Sequence, residues 1–267
     1  MRITRREAII LSVSGLILIT SIAGVHVFRQ QLAVLAWNTF HSGFIVTMLD
    51  PHDATLYEAM GTYYFTSAHY NIPKARTYFE KAVALDDRVA VSHFQLGRIA
   101  FIAGDFKVAL AEADKEIAVE PDFMRTYYLR GLIHAYANDL DASISDFKTF
   151  LAWKPESWAA HNDLAWVFFR RGDFSDAERY AREGLSYAPS NPWLENTLGT
   201  ALLNLGKYEE AQKHLLEAKR GFETMHPQDW GAAYPGNDPR VYEEGLQASR
   251  KSVADNLLIV DKKLDTQ

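Results

Sequence analysis

The chain contains no cysteine. That excludes disulfides, thiolate metal sites, a cysteine nucleophile and lipoprotein acylation, and it leaves either side of a membrane open. The signatures of common chemistry are also missing: there is no H-E-x-x-H, no G-x-S-x-G, no P-loop and no dinucleotide fingerprint. Basic residues are unevenly spread, with no Lys or Arg between Arg29 and Lys74. Residues 1–30 hold four Arg and one Glu, leaving 24 basic against 33 acidic residues in the rest. An acidic body is a poor partner for phosphate backbones, so nucleic acid is not expected. The nine histidines are scattered, and acidic pairs such as Asp86-Asp87 and Glu209-Glu210 read as solvated helix ends. No catalytic constellation, metal site or cofactor site is expected.

What is present begins with a long apolar run. Arg2, Arg5 and Arg6 precede residues 8–28, which carry no charge. A run of this length matches the ~20 residues that cross a bilayer core as a helix. Residues 1–29 thus read as a basic head with its transmembrane anchor, and the positive-inside rule keeps the head in the cytoplasm and sends the body to the extracytoplasmic (periplasmic) side. A signal peptide cleaved after Ser21-Ile22-Ala23, giving a secreted protein, is the alternative. Residues 30–53 are expected as an amphipathic connecting helix, with Leu32, Leu35, Phe40, Phe44, Met48 and Leu49 at helical spacing. It either covers the exposed end of the body or lies in the membrane interface.

Beyond residue 54 the sequence repeats. Pro121, Pro155 and Pro189 are 34 residues apart, as are Gly97, Gly131, Ala165 and Gly199, and Ala109, Ser143, Ala177 and Ala211. Gly104-Asp105, Asn138-Asp139, Gly172-Asp173 and Gly206-Lys207 share another phase. Gly and Asn tolerate the left-handed backbone that ends a helix, so these pairs mark turns between two helices. Asp105, Asp139 and Asp173 then cap the second helix, and each proline stops it. Helix pairs of this length bury their apolar faces only by stacking. The small residues at 97, 131, 165 and 199 allow neighbouring helices to approach closely.

On these residues the chain resembles the tetratricopeptide repeat family, in its membrane-anchored bacterial form. The resemblance runs over Tyr57, Gly61 and Ala75, then Leu96 and Gly97, Tyr127 and Gly131, Leu164 and Ala165, and Leu198 and Gly199. It implies an all-α fold: a right-handed α-solenoid of about five helix pairs over residues 54–223, with an N-terminal transmembrane helix. A loop over 224–239 and a capping helix with its tail over 240–267 follow. In the first unit the interval from Gly61 to Ala75 is two residues longer than elsewhere.

The resemblance also implies a concave groove lined by the first helices. Its inward positions are Phe94, Arg98 and Phe101; Tyr128, Leu132 and Tyr136; Asn162, Trp166, Phe169 and Arg170; and Asn196, Thr200 and Asn204. Glu58 and Thr62 hold the same places in the first unit. Such a groove binds a protein or peptide partner, with aromatic anchors and with the amides of Asn162 and Asn196 available to a peptide backbone. The Lys/Asn pattern that clamps a free C-terminus in some members is missing. The function expected is that of a membrane-anchored scaffold, or of a permanent structural subunit of a larger membrane complex.

Overall fold

The computed structural model describes residues 24–66, 68–233 and 238–266. Most of the expected membrane span, and the basic head before it, lie outside the described residues. No helix among those described is long and apolar enough to cross a membrane. All regular structure among them is helical. The described residues divide into two compact units: those up to Tyr64 with Pro73–Val89, and Phe65–Ile72 with those from Ala90 on.

The first unit begins with helix α1 over residues 24–40, followed by α2 (Gly43–Leu49). The expected single helix is therefore broken. His41 adopts a left-handed φ of 49°, and Ser42 restarts the helix by accepting a hydrogen bond from the Ile45 amide. The buried face also differs from the expected one. Ala33, Trp37 and Val46 enter the core with Leu56, Tyr57, Met60, Ala82 and Val89. The latter five lie on or beside α3 (Ala54–Tyr64) and α4 (Ile72–Leu85), the first helix pair. Gly61 is required here, because a Cβ would sit 2.7 Å from the Phe79 ring.

The second unit holds four more pairs. They are α5 (Ser92–Ile102) with α6 (Phe106–Val119), α7 (Arg125–Tyr136) with α8 (Leu140–Trp153), α9 (Trp158–Arg171) with α10 (Phe174–Tyr187), and α11 (Pro192–Asn204) with α12 (Tyr208–Thr224). The expected turns carry left-handed residues: φ is 77° at Gly104, 66° at Asn138, 89° at Gly172 and 74° at Gly206. Asp105 and Asp139 cap through the Val108 and Ala142 amides. Asp173 does not; its carboxylate turns to the Arg171 guanidinium instead. Helices α6, α8 and α10 stop two residues before Pro121, Pro155 and Pro189. Successive first helices touch, α5 on α7, α7 on α9 and α9 on α11. This is the packing of an array whose first helices form the inner wall.

Two polar devices hold this array. Val91, ahead of α5, offers no capping side chain and has φ of 68°. Glu116, fully buried on α6, accepts from the Val91 and Phe94 amides at 2.9 Å each and caps α5 from a distance. Arg130 on α7 reaches Asp114 on α6 and grips Asp146 on α8 with two nitrogens, all at 2.8 Å.

After α12 the expected loop contains a short helix, α13 (Pro227–Ala232), closed at its start by Asp229 on the His226 amide. Trp230 packs on Tyr242 and donates to the Ser249 hydroxyl. The last helix, α14 (Tyr242–Leu264), buries Leu246, Val253, Leu257 and Val260 against the end of the array. Arg250 donates to the Phe222 and Met225 carbonyls that end α12.

A candidate groove on the inner wall

The inner wall is built from the same face of α5, α7, α9 and α11. Its ends are occupied by the protein itself. At one end the Arg98 guanidinium lies over the Phe65 ring at 4.6 Å and the Phe94 ring at 5.7 Å, and donates to Gln95. Burial pushes Arg98 down to about 10. Tyr70 beside it is pushed up to about 12 by burial first and then by the Asp238 carboxylate. The segment that leads into α14 therefore reaches the Arg98 end of the wall. At the other end Thr200 donates to the Asn196 carbonyl and accepts from Asn256 of α14, while Asn204 donates to the Thr200 carbonyl. These groove positions are engaged within α11 and with the last helix.

The middle is open. Tyr136 is exposed and lies between Phe101, edge-on at 5.3 Å, and Trp166 at 5.5 Å. The Arg170 guanidinium lies over the Trp166 ring at 5.0 Å and donates to Ala135 O and Asn138 Oδ1, closing the end of α7. Phe169 packs on Phe174, and Leu132 joins the core beneath. The structure thus joins Phe101, Tyr136, Trp166 and Arg170 into one strip. Glu58 and Thr62 belong to the first unit, where Thr62 donates to Glu58.

Below the strip runs a polar ladder between first helices. The Tyr128 hydroxyl donates to Asp163 Oδ2 at 2.5 Å, and the Asn162 amide donates to Asp163 Oδ1 at 3.3 Å. One repeat on, Thr197 donates to Asn162 Oδ1 at 2.9 Å. Asn162 is buried, and its carboxamide serves this ladder rather than standing free for a peptide backbone. Asn196, at the same phase, buries its side-chain oxygen without a partner.

Asp163 is the residue that repeat spacing alone does not point to, because it sits one place beside the expected inward column. The signal available is that the same place holds Ala59, Gln95, Leu129 and Thr197 elsewhere, so an acid stands alone there. It keeps a partly exposed edge while protein atoms surround the rest. Burial pushes its carboxyl up to about 6, against the lowering effect of Tyr128 and Asn162. Among the described residues it has no ion-pair partner. The nearby Tyr136 hydroxyl is raised by burial and by the Asp163 charge.

Four of the nine histidines sit beside structural partners. His93 pairs with Glu112 at 2.6 Å, His161 meets the Pro155 carbonyl at 2.8 Å, and His214 pairs with Glu195 at 2.6 Å. Half-buried His134 lies 3.8 Å from Asp139 and 3.9 Å from Asp146. No group of three or more potential metal ligands forms among the described residues.

The Tetratricopeptide repeat family matches at residues 128–192 and, through a second model of the same repeat, at 168–221. The two matches together cover residues 128–221. The pair before them in the second unit, α5 with α6, keeps the same 34-residue period. A curated relative, Tetratricopeptide repeat-containing protein trd-1 of Caenorhabditis elegans, is 22% identical over 60% of this chain. The match spans only 20% of that relative's length. The crystal structure of PilW, a type IV pilus biogenesis factor, superposes with a TM-score of 0.58 at 18% identity, over 75% of this chain and 98% of PilW. YrrB, a tetratricopeptide repeat protein with a peptide-binding site, gives 0.55 at 14% identity, over 64% of this chain and 88% of YrrB. At these identities the likeness is one of fold.

Proposed function

We propose that the chain is a non-enzymatic, membrane-anchored scaffold that holds a polypeptide segment in the middle of its groove while an envelope or membrane complex is assembled. The observation that carries this reading is the strip of Phe101, exposed Tyr136 and Trp166 beside Asp163, whose carboxylate is met by Tyr128 and Asn162 and by no cation among the described residues. Aromatics already stacked on a preformed wall, with Tyr136 exposed, supply contact area at little ordering cost. A half-buried carboxylate held by neutral donors favours a Lys or Arg side chain of the partner. The peptide-binding site of YrrB and the biogenesis role of PilW are consistent with such a use of this fold. Residues 8–28 anchor the chain, with the repeats on the extracytoplasmic side.

The test is photo-crosslinking in native membranes from an unnatural amino acid at position 136 or 166, with position 107 on the outer helix α6 as control. The reading expects a discrete polypeptide adduct from the two groove positions and none from 107. Equal labelling from all three positions contradicts it.

A further inference from the structure

Large apolar side chains left in water are normally scattered. Among the described residues, nine of the nineteen exposed ones fall between Val25 and Met48. Phe28 is 60% exposed, Leu35 60%, Phe40 69%, Phe44 76% and Met48 63%. Val27 and Val34, and Phe28 and Leu35, lie seven residues apart and so share one stripe of α1. Gln31, Asn38 and Thr39 are its exposed uncharged polar neighbours. In α1 and α2 the only formally charged side chain is Arg29.

Arg29 fixes the geometry. Its guanidinium donates to Met48 O at 3.0 Å and Leu49 O at 3.0 Å, closing the C-terminus of α2. Helix α1 therefore leads away from residue 29, the chain turns at His41, and α2 brings Met48 and Leu49 back within one arginine side chain of it. Residue 29 also ends the uncharged run of residues 8–28.

We propose that α1 and α2 form an interfacial elbow whose exposed side chains, Phe44 and Met48 foremost, insert into the headgroup and acyl boundary of the outer leaflet. This rests on the reading of residues 8–28 as a membrane anchor. The occupant of the apolar face is lipid, because the face continues the uncharged run and returns to its end. Amphipathic segments of this kind bind by burying apolar area at the interface. The elbow then holds the first helix pair against the membrane rather than on a free tether.

The absence of cysteine makes the test direct. Single cysteines at Phe44, Met48 and, as control, Ala111 on α6 are spin-labelled in the full chain. The labelled protein is reconstituted into phosphatidylethanolamine–phosphatidylglycerol vesicles. All three positions are exposed, so labelling preserves the fold. The inference expects labels at 44 and 48 to collide more with oxygen than with a water-soluble nickel chelate, and the label at 111 to do the reverse. Nickel access at 44 and 48 equal to that at 111, with the chain still floating with the vesicles after an alkaline wash, overturns the elbow alone. Loss of the chain from the vesicles in that wash overturns the anchor and the elbow with it.

Discussion

Tyr128 and Asp163 lie 35 residues apart and meet across the wall between α7 and α9, hydroxyl on carboxylate. The Thr197–Asn162 bond spans the same 35 residues one repeat later. The ladder thus joins residue i of one first helix to residue i + 35 of the next. It makes the groove wall a connected surface rather than a row of separate helices.

Asp163 gives the stability a pH signature. Its folded value, about 6, stands above the ordinary carboxylate value near 4. Below the unfolded value both states are protonated and burial of the group costs nothing extra. As pH rises through the folded value, the protein must ionise a group that the unfolded chain ionises freely, so stability falls. We predict that Asp163→Asn, which still accepts from Tyr128, raises stability above pH ~6 by on the order of 1–2 kcal/mol, allowing for its partly exposed edge. The gain vanishes towards pH ~4. Denaturant unfolding of both chains across this range checks it. A gain independent of pH contradicts the assignment.

The small-residue column makes a prediction of sign. A Cβ at Gly97 meets nothing closer than 3.4 Å, whereas one at Gly199 meets Leu215 at 2.6 Å and 2.9 Å. Gly97→Ala is expected to stabilise by up to about 1 kcal/mol through helix propensity. Gly199→Ala is expected to destabilise by about 1–3 kcal/mol through overpacking. Thermal unfolding of the two variants distinguishes them, and the same sign for both contradicts the packing described.

Arg130 and Asp146 make a third test. The Arg130 guanidinium is held in its charged form, first by its hydrogen bonds to Asp146. Asp146 is buried. Removing the cation alone, as in Arg130→Ala, strands that carboxylate and is expected to cost about 3–5 kcal/mol. The double change Arg130→Met with Asp146→Leu is expected to recover most of the loss. Urea midpoints of the single and double variants measure the coupling.

Much of the fold was legible in the sequence, because a left-handed turn demands Gly or Asn and a proline ends a helix wherever it falls. Gly104, Asn138, Gly172 and Gly206 therefore gave the turns, and Pro121, Pro155 and Pro189 the helix ends. The break at His41 was marked only weakly, by the polar interruption at Asn38, His41 and Ser42 and by the Ser42-Gly43 pair. The buried face of α1 and α2 was misread for a related reason: helical spacing pointed to Leu35, Phe40, Phe44 and Met48, while the structure buries Trp37 and Val46. Glu116 was hidden inside a column that holds Ala82, Phe150, Gly184 and Ala218 in the other repeats. The Tyr128–Asp163 ladder joins two different columns, so it emerges only when successive first helices are placed side by side. The covered ends of the groove depend on α14 and the segment before it, which carry no repeat signal.

The central claim is that the open middle of the groove holds a polypeptide. It is tested most directly by retention of the native partner on the full chain carrying Trp166→Ala and Phe169→Ala, in a membrane pull-down with unfolding measured in parallel. The account predicts loss of the partner with cooperative unfolding preserved. Full retention by the folded double variant contradicts it.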